Sequence, residues 1–472
     1  MNTADRESEA SGGSAPATVI AVVAAGITLP FGESVIGVQL DAIARSFSIQ
    51  GAMLQWVVNA YMLTFATSIL AVGVLADRLG RRRLFAMGLL LSLVANAAAV
   101  VTPSADLLIA LRALAGLAAG TLLATGPALL AARFPQDDRS RARAFAAFGS
   151  AAGSGIAFGP LIGGLIMAHF GWRAVFAVYL PFLLLAGALL PRIAASRAPD
   201  APPIDALGIG VFTLALGLVV WALEGTSRFG FMAAACSLLL FIALIFIERG
   251  RQHPAIAPAV FANPLFRAMS ATMVAWQIAV AVSMVYVPAV VVAGLSASPA
   301  IAGLSILPMA IALFAATPLG PMMVSRFGVA GFVGGCIACM AMGDAVIALT
   351  LTAAAPLSQI GLVCGLGLIG IGGGAANGSM DNLAMRTMPA TRAGMAAGVF
   401  QTVRIGAAAL AVAAAGSLLD IASGSATHAA AGALTTRYAE LAGGASFMLA
   451  LLALIAVAFV PTSETKPVGN RR

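Results

Sequence analysis

The sequence predicts an all-α integral membrane protein: two six-helix bundles with two further helices inserted between them, fourteen transmembrane helices in all. Three observations predict it. Charge is nearly absent, apolar runs of bilayer length recur along the whole chain, and arginines gather in alternate connections between those runs.

Of the 472 residues, 61% are hydrophobic and only 9% are charged, whereas a water-soluble domain carries about 25% charged residues. A chain so poor in charge cannot cover itself with a water-compatible surface, so lipid must be its solvent. In lipid each backbone polar group needs an internal partner, and apolar runs of about 20 residues therefore read as helices. The runs are continuous and do not alternate with period two, which excludes a transmembrane barrel.

Fourteen spans are expected, near 17–40, 53–75, 84–103, 106–132, 141–166, 171–192, 205–224, 230–249, 267–293, 299–324, 329–351, 357–385, 394–420 and 440–461. The distribution of positive charge orients them. With the N-terminus in the cytoplasm, twenty Lys and Arg residues fall on the inside and four on the outside, with Arg112 and Arg404 within spans. Both termini are thus expected to be cytoplasmic, residues 1–16 and 462–472 forming polar tails. The first tail carries Asp5, Glu7 and Glu9 and lacks the basic start of a cleaved signal peptide.

A weak repeat divides the chain. The segment Gly73-Val-Leu-Ala-Asp77-Arg78-Leu-Gly80 is echoed by Ser325-Arg326-Phe-Gly328, an offset of 248 residues. Two such halves, related by an axis along the membrane normal, are a common plan among membrane transporters. The expected organisation is an N-terminal bundle (17–195), a linker with the inserted pair (196–250) and a C-terminal bundle (251–461).

The net charge of +8 is spread over short juxtamembrane clusters, so no continuous basic face for nucleic acid is expected. The four cysteines lie in apolar runs, and Cys336-x-x-Cys339 lacks a second pair, so they read as small buried hydrophobes. The three histidines are placed in connections, away from any carboxylate at helical spacing, and no metal site is expected. With no phosphate-binding loop, no nucleophile constellation and no cofactor motif, neither ATP-driven transport nor an enzyme is expected.

Several motifs carry chemistry. Gly73, Asp77, Arg78, Gly80 and Arg81 form a glycine-bounded turn between the second and third spans, where Asp77 can cap a helix or pair with a base. Arg112 sits inside the fourth span in Leu111-Arg112-Ala-Leu-Ala-Gly116, at an insertion cost of at least about 2.5 kcal/mol that something must offset. The fifth span carries Gly149, Gly153, Gly155, Gly159-Pro160 and Gly163-Gly164, a flat face for close helix contact with a proline that bends it. On these motifs, which span nearly the whole chain, the sequence resembles the major facilitator superfamily, and more narrowly its fourteen-helix drug:proton antiporters. The turn resembles that superfamily's loop signature, acting as a gating loop. Arg112 resembles its intramembrane arginine, and Gly155 to Gly164 its antiporter helix. The segment with Gln401 and Arg404 resembles the family's thirteenth helix.

Ionisable residues within spans are functional candidates. Glu33 stands where the family usually has an aspartate in the first helix. If that helix ends near residue 40, Glu33 and Arg112 both lie roughly 10 Å below the outer boundary, at about 1.5 Å rise per residue, and are expected to approach each other. A carboxyl that alternates between an apolar setting and an arginine alternates in its hold on a proton. Glu33, Arg112 and, at the outer mouth, Asp41 are the proton-coupling candidates. Asp344, Tyr61, Trp276, Gln277, Tyr286, Gln401 and Arg404 are candidates for the substrate or ion path.

The resemblance implies a monomeric, multi-pass plasma-membrane protein that exports lipophilic, often cationic, compounds in exchange for protons. An exporter of one metabolite such as an antibiotic or siderophore, a nutrient importer and a non-transporting sensor are the alternatives, since fold alone does not settle function.

Overall fold

The computed structural model describes residues 14–134, 138–195, 205–224, 229–249, 251, 261–293, 297–354, 356–377, 379–385, 393–419 and 428–460. Among them every regular element is helical. The first half comprises α1 (Ala15–Ser34), α2 (Ile36–Phe47), α3 (Ala52–Leu79), α4 (Arg81–Val100), α5 (Ala105–Arg133), α6 (Asp138–Phe170), α7 (Trp172–Ala177) and α8 (Tyr179–Leu189). A hairpin of α9 (Ala206–Glu224) and α10 (Phe229–Arg249) follows. The second half comprises α11 (Pro264–Ala293), α12 (Pro299–Ser305), α13 (Leu307–Ala316), α14 (Gly320–Thr350), α15 (Leu357–Ala376), α16 (Ser379–Met385), α17 (Ala393–Leu419) and α18 (His428–Phe459).

Twelve stretches of the described residues are long and apolar enough to cross a bilayer. One of them, 300–350, is 51 residues long, against about 20 for a single crossing. A shorter apolar stretch covers Phe158–Phe170 in α6. Large apolar side chains face outward, among them Leu90, Phe246, Leu349 and Leu454, each at least 60% exposed. In water such a surface would aggregate; it is what a lipid solvent requires.

The 248-residue repeat reappears in the backbone. Gly80, between α3 and α4, has φ 102°, and Gly328, within the range of α14, has φ 70°. Both turns use the left-handed region, which glycine enters without steric cost, and the turn at Gly328 divides the long stretch 300–350.

The first helix differs from the expectation. It does not end near residue 40: it bends at Val35 and continues as α2 to Phe47. Pro30 inside α1 lacks an N–H and weakens the ladder there. The polar residues Asp41 and Arg45 hide the continuation from a hydropathy reading. Glu33 therefore lies beside a bend, fourteen residues from the end of α2. The twelfth expected span is likewise interrupted, because Asn377 is extended (ψ 137°) between α15 and α16. His169, expected in a connection, is in the last turn of α6, with Nδ1 2.9 Å from the Leu165 carbonyl.

Within the first half α5 packs on α3 and α4, while α1 packs on α6 and α8; in the second, α14 packs on α15 and α18, and α11 on α17 and α18. The halves meet along three seams, α3 with α17, α6 with α12 and α13, and α2 with α11. The inserted hairpin lies over the first of these, α9 touching both α3 and α17. At the third, Gly37 packs so closely that a Cβ would overlap the Val285 carbonyl. Tyr286 crosses the same region, its hydroxyl 2.8 Å from both Gln55 Oε1 and the Val412 carbonyl. The molecule is thus closed at the end that carries the connection between α2 and α3.

Gly37→Val forces α2 away from α11, and overpacking of this kind costs about 1–3 kcal/mol. The expected outcome is a longer distance between spin labels on Ser48 and Ala297, measured by electron–electron double resonance. An unchanged distance distribution would show that the close approach does not hold this end shut.

Candidate proton and substrate sites

Arg112 is buried, with 3% of its surface exposed. Nε donates to the Val57 carbonyl at 3.0 Å and Nη2 to the Gly32 carbonyl at 3.1 Å. Its guanidinium lies 4.4 Å from the centroid of the Tyr61 ring, an attractive cation–π geometry, and the Tyr61 hydroxyl donates to the Leu29 carbonyl at 2.9 Å. One side chain thereby ties α5 to α1 and α3. Beside it is a cavity of about 10 Å³, walled by Thr28, Asn96, Tyr61, Arg112 and Tyr179 among others; that is about the volume that holds one water molecule. Asn96 Nδ2 donates to the Ser92 carbonyl at 2.8 Å, and the Tyr179 hydroxyl has no partner among the described residues.

Glu33 follows Gly32, the residue whose carbonyl Arg112 binds, in the last turn of α1. The Glu33 side chain lies outside the described residues, as does that of Asp77. Asp41 is helical and ion-paired to Arg45 one turn later. In the turn at Gly80, Arg81 Nη1 is 3.5 Å from the Ala128 carbonyl of α5, Arg78 is half-buried, and a Cβ on Gly73 would meet open space.

The glycines of α6 act through contact. A Cβ on Gly155 would press on the Ile27 carbonyl and Pro30, and one on Gly163 would overlap Val35, all on the first helix. Gly159, Pro160 and Gly164 are buried, and the Pro160 carbonyl meets Gly303 of the opposite half. The helix is clamped between α1 and α12.

In the second half Arg404 of α17 stacks over Trp276 of α11, 4.6 Å from its centroid. Arg404 Nε, Trp276 Nε1 and Gln401 Oε1 lack partners among the described residues. Gln277 is buried, and Tyr286 is a seam residue, its ring enclosed and its hydroxyl shared between α3 and α17. Asp344 of α14 is buried, at 4% exposure. Sequence reasoning passed over Asn96, Tyr179, Ser283 and Tyr438. The first could have been found, because Asn96 precedes Asp344 by the repeat offset of 248.

Arg112→Ala removes the two guanidinium hydrogen bonds to the Val57 and Gly32 carbonyls; hydrogen bonds to charged groups are worth about 1.5–3 kcal/mol each. The expected result is a large drop in the thermal unfolding midpoint of the detergent-solubilised protein. Arg112→Lys, which keeps the charge and loses the fork, should fall between the two.

Residues 22–412 match the family model of the Major Facilitator Superfamily. The chain is 29% identical over 394 residues to the multidrug resistance protein Stp of Mycobacterium tuberculosis, covering 82% of this chain and 72% of that protein. It is 27% identical over 404 residues to the tetracenomycin C resistance and export protein of Streptomyces glaucescens, with coverage of 82% and 72%. The crystal structure of a peptide transporter POT in complex with sulfate shares the fold, with a TM-score of 0.68 at 16% identity over 95% of this chain and 96% of that one. Twelve apolar stretches and these relatives make this a multi-pass protein of the bacterial plasma membrane. The family match over most of the length, together with the clamped α6 and the buried arginine of α5, establishes that the chain belongs to the major facilitator superfamily.

Proposed function

We propose that the protein is a proton-coupled exporter of lipophilic drugs or toxic compounds, working as a monomer of fourteen spans with both termini in the cytoplasm. The observation that carries the coupling is the bond from Arg112 to the Gly32 carbonyl, which brings a fixed positive charge to the residue beside Glu33. An arginine next to a carboxyl favours the ionised form, and burial away from water favours the acid. Arg112 and Glu33 belong to the same half, so rocking of the halves about their glycine-lined seams would alternate the access of water to Glu33 while the arginine keeps its place. The relatives are drug-resistance and export proteins, and the substrate crosses without covalent chemistry. The fourteen-span count rests on the length of 300–350, its turn at Gly328 and the apolar part of α6.

A carboxyl that binds either a proton or a substrate charge favours cationic compounds. Arg404 supports a second reading, export of acidic or phenolic compounds, because its guanidinium has no carboxylate partner among the described residues and lies against the Trp276 face.

Inverted membrane vesicles with an acidified interior decide among these. Addition of a lipophilic cation such as ethidium should release protons, read as dequenching of a pH-sensitive dye, and Glu33→Gln should abolish the response. Dequenching that persists unchanged in Glu33→Gln refutes the assignment of the proton to Glu33. A response to phenolic acids alone, lost in Arg404→Gln, selects the second reading.

A further inference from the structure

Asp344 stands out in the second half. It is 4% exposed, and its Oδ2 has no hydrogen-bond partner among the described residues. A bare carboxylate at membrane depth is costly, so the elements around it decide what it does. From α18 comes Tyr438, fully enclosed and within electrostatic reach of Asp344. From α11 comes Ser283, whose Oγ lies 3.5 Å from the Tyr438 hydroxyl. On α15, the neighbours of Gly343 are Gly365 and Ile369, and that helix carries no charged residue. On α14 itself the nearest titratable groups are Cys336 and Cys339, more than a turn away. The cations of the adjoining helices are engaged elsewhere, Arg437 with the Leu419 carbonyl and Arg267 over Phe459, and Glu440 is exposed on α18. The helices themselves are fixed, for Ser446 of α18 donates to the Ala341 carbonyl of α14 at 2.8 Å.

The arrangement has a counterpart. The offset of 248 that superposes Gly80 on Gly328 carries Asn96 onto Asp344. In the first half Asn96 and Tyr179 wall the cavity beside Arg112; in the second, a carboxyl and Tyr438 occupy the related helices. The first half has a buried cation and a neutral amide; the second has a buried acid, and α15, the counterpart of α5, brings it no arginine.

We propose that Asp344 is a second proton-binding site, with Tyr438 and Ser283 as the hydroxyls through which its proton enters and leaves. Uptake forms one O–H bond on a carboxylate oxygen and release breaks the same bond; no electrons are transferred. A proton fits better than a metal ion, because a carboxyl and two hydroxyls fall short of the six or so oxygens that a hard cation takes. The role of this proton in the cycle rests on the exporter reading, but its binding does not. With Glu33, it gives each half one protonatable carboxyl.

Infrared difference spectra of the full-length protein in liposomes, recorded between alkaline and mildly acidic buffer without substrate, test the binding. A carboxylic C=O band that is absent in Asp344→Asn, moved in frequency in Asp344→Glu and altered in Tyr438→Phe is expected. Asp344→Glu and Tyr438→Phe keep the test decisive should Asp344→Asn fold poorly. A carboxylic region identical to wild type in all three variants overturns the proposal. With ethidium as probe, Asp344→Asn should lose at least tenfold in uphill accumulation while downhill exchange persists. The band without any ethidium flux in the wild type would uphold the proton site and count against the exporter reading alone.

Discussion

A guanidinium held among apolar helices must find oxygen, and in this protein Arg112 finds it on two neighbouring helices at once. The carbonyls of Gly32 and Val57 are backbone groups, so the bonds fix main chain to main chain and do not depend on the rotamer of a partner. The Tyr61 ring covers one face of the cation while its hydroxyl reaches back to α1. Three helices of the first half are thereby held at a set depth, and the bend at Val35, next to Glu33, is held with them. Two neutral bonds run alongside those of Arg112, from the Tyr61 hydroxyl to the Leu29 carbonyl and from Thr64 Oγ1 to the Ala113 carbonyl, and bonds to a charged group are the stronger kind.

The seams between the halves rest on the opposite principle. They use few strong bonds and much close backbone contact, with Gly37 against Val285 and Gly303 against Pro160. Contacts of this kind are strong only while the surfaces are in register, and they leave no buried charge behind when they part. A strongly tied bundle with smooth seams is the division of labour that rigid-body motion needs.

Most of the helix pattern was legible in the sequence, for a physical reason: lipid punishes every unpaired backbone group, so hydropathy and helix length are coupled. The expected approach of Arg112 to Glu33 depends on a first helix ending near residue 40; Arg112 does reach the Gly32 carbonyl, but the helix runs on to Phe47, so the matching depths do not account for it. The continuation of the first helix to Phe47 was not, because Asp41 and Arg45 satisfy one another on the helix surface and read as a connection. Nor could Tyr286 be recognised as a seam residue, since its partners Gln55 and Val412 are 231 and 126 residues away. The polar cluster around Asp344 was half visible, its carboxyl conspicuous in an apolar run and its hydroxyl neighbours indistinguishable from ordinary packing residues.

The Tyr286 hydroxyl has one hydrogen and two acceptors, and the acceptors belong to different halves. Gln55 is on α3 and Val412 on α17, the latter in the same half as Tyr286 itself. In the rocking motion we propose for the halves, the hydroxyl would lose Gln55 and keep Val412, so its donor would not be stranded. A stranded buried donor would cost about 1–3 kcal/mol, and that penalty would fall on the opening step. The spare acceptor removes it, which makes the bridge a catch that holds the closed end together without adding friction to its release.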